Sequence, residues 1–162
     1  MIDELIRQRR ITESRKVESE HKRLQEDLKN WAIECGYPNS RQELPDGSKP
    51  DVLRYDSKNK MCFIGDAKDA TNETPSNTET VKRIKNYIQQ FAVLLDEQKI
   101  HDGNIAIATN DEQAAKDWVI ALKYFCDQVG ITDANSAQPN VAVKKTPEEE
   151  YLDYIVVISQ QA

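Results

Sequence analysis

Glycine is scarce in this 162-residue chain: its five glycines stand far apart, and none belongs to a glycine-rich phosphate loop. Nucleotide-binding and phosphatase-like α/β proteins that cradle phosphate on backbone N–H groups are thereby disfavoured. The three cysteines, Cys35, Cys62 and Cys126, are odd in number, widely separated and without metal-site spacing, which argues against a disulfide framework or a structural zinc. They read instead as small buried residues of a protein kept in a reducing compartment. No apolar run approaches the ~20 residues of a membrane span, so no membrane partner is expected. Internal repeats, low-complexity tracts, sustained coiled-coil heptads and zinc-finger or helix-turn-helix patterns are also missing.

Positive charge is short as well. A net charge of −6 is unfavourable for contact with a phosphate backbone. That total conceals local basic clusters at Arg7, Arg9 and Arg10, at Arg15 and Lys16, and at Lys82, Arg83 and Lys85, while acidic residues concentrate in Glu148, Glu149 and Glu150. A basic face can coexist with a negative total.

What is present suits a single domain, residues 1–162, with residues 1–12 as a helical extension. The charged opening reads as helix rather than as an export signal, so the expected compartment is the cytoplasm. Residues 2–35 read as helix, with Val17, Leu24, Leu28, Trp31 and Cys35 as its apolar stripe and Gly36 as its stop. A connection rich in turn formers follows, with a short strand expected near residues 41–44. Apolar runs at 52–55 and 61–65 flank the polar segment 56–60 and predict a β-hairpin. Segment 71–77 reads as a mobile loop. Ser76 with Glu79 reads as the capping box of a helix buried through Val81, Ile84, Ile88, Phe91 and Leu95. Residues 103–108 predict a buried central strand. Asn110 with Gln113 opens a further helix, whose stripe includes Trp118, Leu122 and Phe125 and which Gly130 ends. Residues 131–145 read as irregular, 146–148 as the start of a helical turn, and 154–158 as a last strand. This order predicts an α/β fold with a mixed central sheet flanked by helices.

The chemistry concentrates in residues 50–70. Side chains alternate along a strand, so Asp66 and Lys68 share a face while Ala67 points away, and Asp51 at the start of the preceding strand can face them. Gly65 before them reads as a close-packing position. Two carboxylates and an ammonium converging at one end of a hairpin need a compensating ion or ligand. Mg²⁺ suits them, because this hard ion binds through one or two carboxylates plus a substrate phosphate, and the Ala67 carbonyl offers another oxygen. His21, alone on its helix, reads as a structural residue or as a phosphate contact.

Pro50-Asp51 followed by Asp66-Ala67-Lys68 resembles the bipartite motif of the PD-(D/E)xK nuclease superfamily, and the element order resembles its restriction-endonuclease-like αβββαβ core. The resemblance runs from Glu20 to the last strand. It implies a Mg²⁺-dependent nuclease, with Mn²⁺ able to substitute, acting on nucleic acid and above all DNA, of the restriction, repair or junction-resolving type. Asp51, Asp66 and the Ala67 carbonyl would be metal ligands, Lys68 the catalytic amine, and Glu20 a helix glutamate completing the metal site. The helix after the second half-motif would lie along the cleft, with Lys82, Lys85 and Gln89 toward nucleic acid and Gln90 and Tyr87 in support. A homodimer or partner subunit would supply specificity or a second site. The alternative expectation is a nucleic-acid- or protein-binding module that keeps the fold without catalysis.

Overall fold

The computed structural model describes residues 13–131, 138–144 and 152–160. The expected extension at 1–12, with its basic cluster, and the expected helical turn at 146–148 lie outside these residues. Helix α1 spans Glu13–Glu34, followed by strands β1 (Asn39–Ser40), β2 (Val52–Asp56) and β3 (Met61–Lys68). Helix α2 (Thr78–Asp96), strand β4 (Asp102–Thr109), helix α3 (Glu112–Gln128) and strands β5 (Gln138–Lys144) and β6 (Leu152–Gln160) complete the order. The chain is α/β: its mixed sheet runs β1-β2-β3-β4-β6-β5, with β3 and β4 parallel and the other neighbours antiparallel.

The hairpin forms where its two apolar runs flank a polar turn, with Val52 opposite Gly65 and Asp56 opposite Met61. Lys60 closes the turn in the left-handed region at φ 53°. The two faces of the sheet bury different sets. Cys62, Ile64, Ile105, Ile107, Val156 and Ile158 pack under α2 and α3, among them Trp118 and Phe125 as expected of core residues. Phe63, Ala67, Ala106, Ala108, Ile155 and Val157 pack under Leu24, Leu28 and Ala32 of α1. Asp66 and Lys68 therefore sit on the α2 side, and Ala67 on the α1 side.

Two glycines let these layers approach. A Cβ at Gly65 would stand 2.7 Å from Leu28 Cδ2, so α1 rests directly on β3 there, as the sequence implied. At Gly103 a Cβ would stand 2.3 Å from the Cys62 carbonyl oxygen, a backbone atom that cannot turn aside. Gly103→Ala is expected to destabilise the fold by roughly 2–3 kcal/mol or more through overpacking, read as a lower midpoint in thermal unfolding. An unchanged midpoint would refute the contact.

Several expectations are corrected. The first strand lies at Asn39–Ser40 rather than at 41–44. Asn77, not Ser76, caps α2, its side chain accepting from Thr80 N at 3.0 Å. Asp111, not Asn110, caps α3 by accepting from Ala114 N at 2.9 Å. In both cases the residue before the cap carried a plausible side chain, and the extended backbone at Asn77 and Asp111 marks where each helix begins. The stretch read as irregular contains strand β5, which pairs with β6 through a register shift between Pro139 and Val141. Proline there masks a strand in sequence, yet is tolerated at the sheet's edge. Cys62 and Cys126 are buried as expected, but Cys35 is exposed, because α1 ends at Glu34 and Cys35 begins the turn.

Candidate functional site

Beyond Val52 the hairpin ladder is continued by side chains. Asp51 N donates to Asp66 Oδ1 at 2.9 Å, and Ala67 N donates back to Asp51 Oδ2 at 2.9 Å. These reciprocal bonds hold the two carboxylates side by side at the end of β3. Gln25 Nε2 of α1 donates to the Asp51 carbonyl at 3.2 Å, and His21 Nε2 lies 3.4 Å from Asp51 Oδ2. Lys68 is fully buried, its Nζ 2.6 Å from Asp66 Oδ2 and 3.1 Å from Glu73 Oε2. Asp66 Oδ2 makes no aligned hydrogen bond and is held by the ion pair alone.

Burial and the neighbouring Asp51 push the Asp66 carboxyl up to about 7, against the pull of Lys68. Lys68 moves up as well, because Asp66 and Glu73 outweigh its burial. One ammonium faces two carboxylates while Asp51 adds further negative charge, so the deficit falls on the most buried acid, Asp66. The site is short of positive charge.

Glu73 comes from the loop expected to be mobile, 71–77, which follows Asp69 and is folded into successive turns. Asp69 Oδ1 accepts from Thr71 N at 3.0 Å and Thr71 Oγ1 at 2.8 Å, and Glu73 N donates to Asp69 O at 2.8 Å. That turn aims Glu73 at Lys68. Asn110, released from capping, receives Ala70 N at 2.9 Å and donates to Glu20 Oε2 at 3.0 Å and Asp69 Oδ1 at 3.2 Å.

Glu20 is the main departure from the expected metal site. Its other oxygen accepts from Arg23 Nη1 at 2.7 Å, and Arg23 forks onto the fully buried Asp153 of β6, Nε to Oδ2 at 2.9 Å. Glu20 thus belongs to a network pinning α1 to β4 and β6, separate from Asp51 and Asp66. Of the α2 residues, Tyr87 is buried beside the site, its hydroxyl donating to the Lys49 carbonyl at 3.3 Å, and its acidity is weakened by burial and by Asp66. Gln90 is half-buried, while Lys82, Lys85 and Gln89 are exposed. Lys85 Nζ lies 5.1 Å from the centre of the Phe125 ring, turned toward α3.

A cleft of about 570 Å³ opens above this cluster, with His21 and Lys22 of α1 on one side, Arg83 of α2 on the other, and Asp51, Asp69 and Glu73 between. Asp66 and Lys68 do not line it; they lie beneath, bonded to Asp51 and Glu73, which do. A larger hollow of about 980 Å³ lies at the opposite, hairpin-tip end and contains none of these groups. Among the described residues no three His, Cys, Asp or Glu side chains are placed to ring a metal ion. Asp51 and Asp66 offer carboxylate oxygens of the kind a hard cation takes along with water and substrate, although Asp66 Oδ2 is already paired with Lys68.

No family model, curated protein or solved structure matches the chain. Among the described residues no helix is long and apolar enough to cross a membrane. Glu73, Asp69, Asn110, Gln25 and Arg83 were not singled out as site residues in the sequence. Asp69 with Thr71 carried a turn signal, Arg83 stood in a basic cluster and Asn110 carried a helix-start signal; Glu73 and Gln25 carried none, because a polar residue on a loop or helix acquires its role from what packs opposite.

Proposed function

We propose that the chain is a Mg²⁺-dependent nuclease hydrolysing phosphodiester bonds in DNA. The observation that carries this reading is the reciprocal pairing of Asp51 with Asp66 and Ala67, which sets two carboxylates beside a buried, same-strand Lys68. The order α1, β1, β2, β3, α2, β4 agrees with an αβββαβ core and supports the same reading. Asp51 and Asp66 would hold Mg²⁺ or Mn²⁺, with the Ala67 carbonyl adjacent. Bound there, the ion polarises a phosphoryl oxygen and lowers the pKa of a coordinated water.

The chain's own residues supply the rest. Lys68 offers an ammonium to the phosphate or orients the attacking water, and a phosphate oxygen would take the place Glu73 occupies in the free protein. His21 stands at the cleft wall within reach of a scissile phosphate. Tyr87 and Gln25 fix the backbone on either side of Asp51. Glu20 acts through its network, positioning α1.

Incubation with supercoiled, linear and branched DNA and with RNA, each with Mg²⁺, Mn²⁺ or EDTA, tests the reading. Discrete products from DNA with either metal and none with EDTA are expected; intact substrates in every arm would overturn it. A second reading, a nucleic-acid- or protein-binding module without catalysis, is favoured by one observation: both Glu20 oxygens are engaged elsewhere, leaving two acidic side chains at the ion's position.

A further inference from the structure

We infer that Lys22 and Arg83 form a two-sided clamp for the phosphodiester backbone of nucleic acid, one that recognises phosphates and not bases. The inference deepens the nuclease reading by naming how substrate is held, and it rests on that reading for the identity of the ligand.

Lys22 and Arg83 are exposed and line the same cleft from α1 and α2, the helices on opposite faces of the sheet. Neither makes an ion pair or side-chain hydrogen bond among the described residues, although Asp51, Asp69 and Glu73 share the cleft. Those acids are already engaged: Asp51 with Ala67 N and His21, Asp69 with Thr71 and Asn110, Glu73 with Lys68. Two cations thus share the cleft with acids engaged elsewhere, an arrangement that leaves them available to a ligand's negative charge. Arg83 offers a planar fork suited to phosphate, and Lys22 a mobile point charge.

Among the described residues the cleft lining contains no Phe, Tyr or Trp on which a base could stack, and its remaining members are the amides Gln25 and Asn72. Sequence-tolerant binding through bases requires aromatic platforms, and extrusion of a base requires an apolar pocket; neither is present in this lining. Backbone charge is what the cleft can read. The exposed Lys82 and Lys85, by contrast, do not line it.

The test uses the full chain carrying Asp66→Asn to prevent cleavage, with fluorescence anisotropy of a short labelled DNA strand, its duplex and an abasic strand of equal length. Adding Lys22→Ala and Arg83→Ala together is expected to weaken binding at least tenfold and to flatten the salt dependence by about 0.9 per lost phosphate contact on duplex. Lys29→Ala with Lys58→Ala, an equal loss of charge at exposed sites outside the cleft, should change affinity less than threefold, by the ordinary scale of surface substitution. The abasic strand should bind as well as the normal one. A clamp variant that binds like the Lys29 and Lys58 control, or an abasic strand that fails to bind, overturns the clamp. If that happens while the wild type still cuts DNA, the nuclease reading survives alone. If the clamp results appear while the wild type cuts nothing with any metal, the clamp stands and the nuclease reading falls.

Discussion

Asp66→Asn is expected to lower metal-dependent cleavage by roughly 10³-fold or more, the scale on which preorganised charge stabilisation acts in active sites, while leaving the fold intact. Asparagine matches aspartate in volume and retains an oxygen to accept Asp51 N, the bond that extends the hairpin ladder at 2.9 Å. The negative charge is lost together with one of the two acceptors of Lys68, which keeps Glu73 as its partner. The substitution is cleaner than one at Lys68, whose removal would leave Asp66 and Glu73 without their shared ammonium and confuse a catalytic loss with a structural one. Cleavage rates measured beside the unfolding midpoint decide the matter. A variant that cuts at the wild-type rate removes Asp66 from the metal site.

Metal-free protein is expected to lose stability as pH rises from about 4 to about 7, and Mg²⁺ to restore much of it on the alkaline side. The folded Asp66 carboxyl lies at about 7, above its ordinary 3.8. Below 3.8 both folded and unfolded chains hold the proton and the contribution is fully present. Between the two values the unfolded chain has released it and the folded chain has not, so stability falls with pH, by on the order of 4 kcal/mol once complete. Lys68 is also raised, but a raised lysine loses its contribution only above its ordinary 10.5, outside this window.

A cation at Asp51 and Asp66 competes with that proton. At a hundredfold excess over its dissociation constant Mg²⁺ would contribute about 2.7 kcal/mol, a rise of roughly 5–10 °C in midpoint for a chain of this size. The rise should be present near pH 8 and much reduced near pH 5.5, about where linkage keeps Asp66 protonated. Thermal scans at the two pH values, with Mg²⁺ and with EDTA, test this. Equal shifts at both, or a full shift in Asp66→Asn, would place the ion elsewhere.

The Arg23 network explains why α1 stands where it does. Asp153 is fully buried, and burying a carboxylate is tolerable only with a partner such as the forked guanidinium of Arg23. That requirement sets the first half of α1 against β6 and brings His21, Lys22 and Gln25 to the cleft. The helix glutamate expected at the metal is used up in the same structure, so Glu20 shapes the site without entering it.

The sequence by itself determined the hairpin, the two later helices, the central and final strands, and the shared face of Asp66 and Lys68. Each follows from local pattern: short apolar runs around a polar turn in β2 and β3, helical spacing in α2 and α3, glycine stops at Gly36 and Gly130, both at positive φ. Tertiary structure alone decided which polar residues meet. Glu73 reaches Lys68 through a turn set by Asp69, Glu20 is claimed by Arg23 and Asn110, and Arg83 faces Lys22 across the end of the sheet. Strand pairing and apolar burial are written into spacing along the chain, whereas the partner of a charge depends on which elements pack together, and spacing carries no record of that.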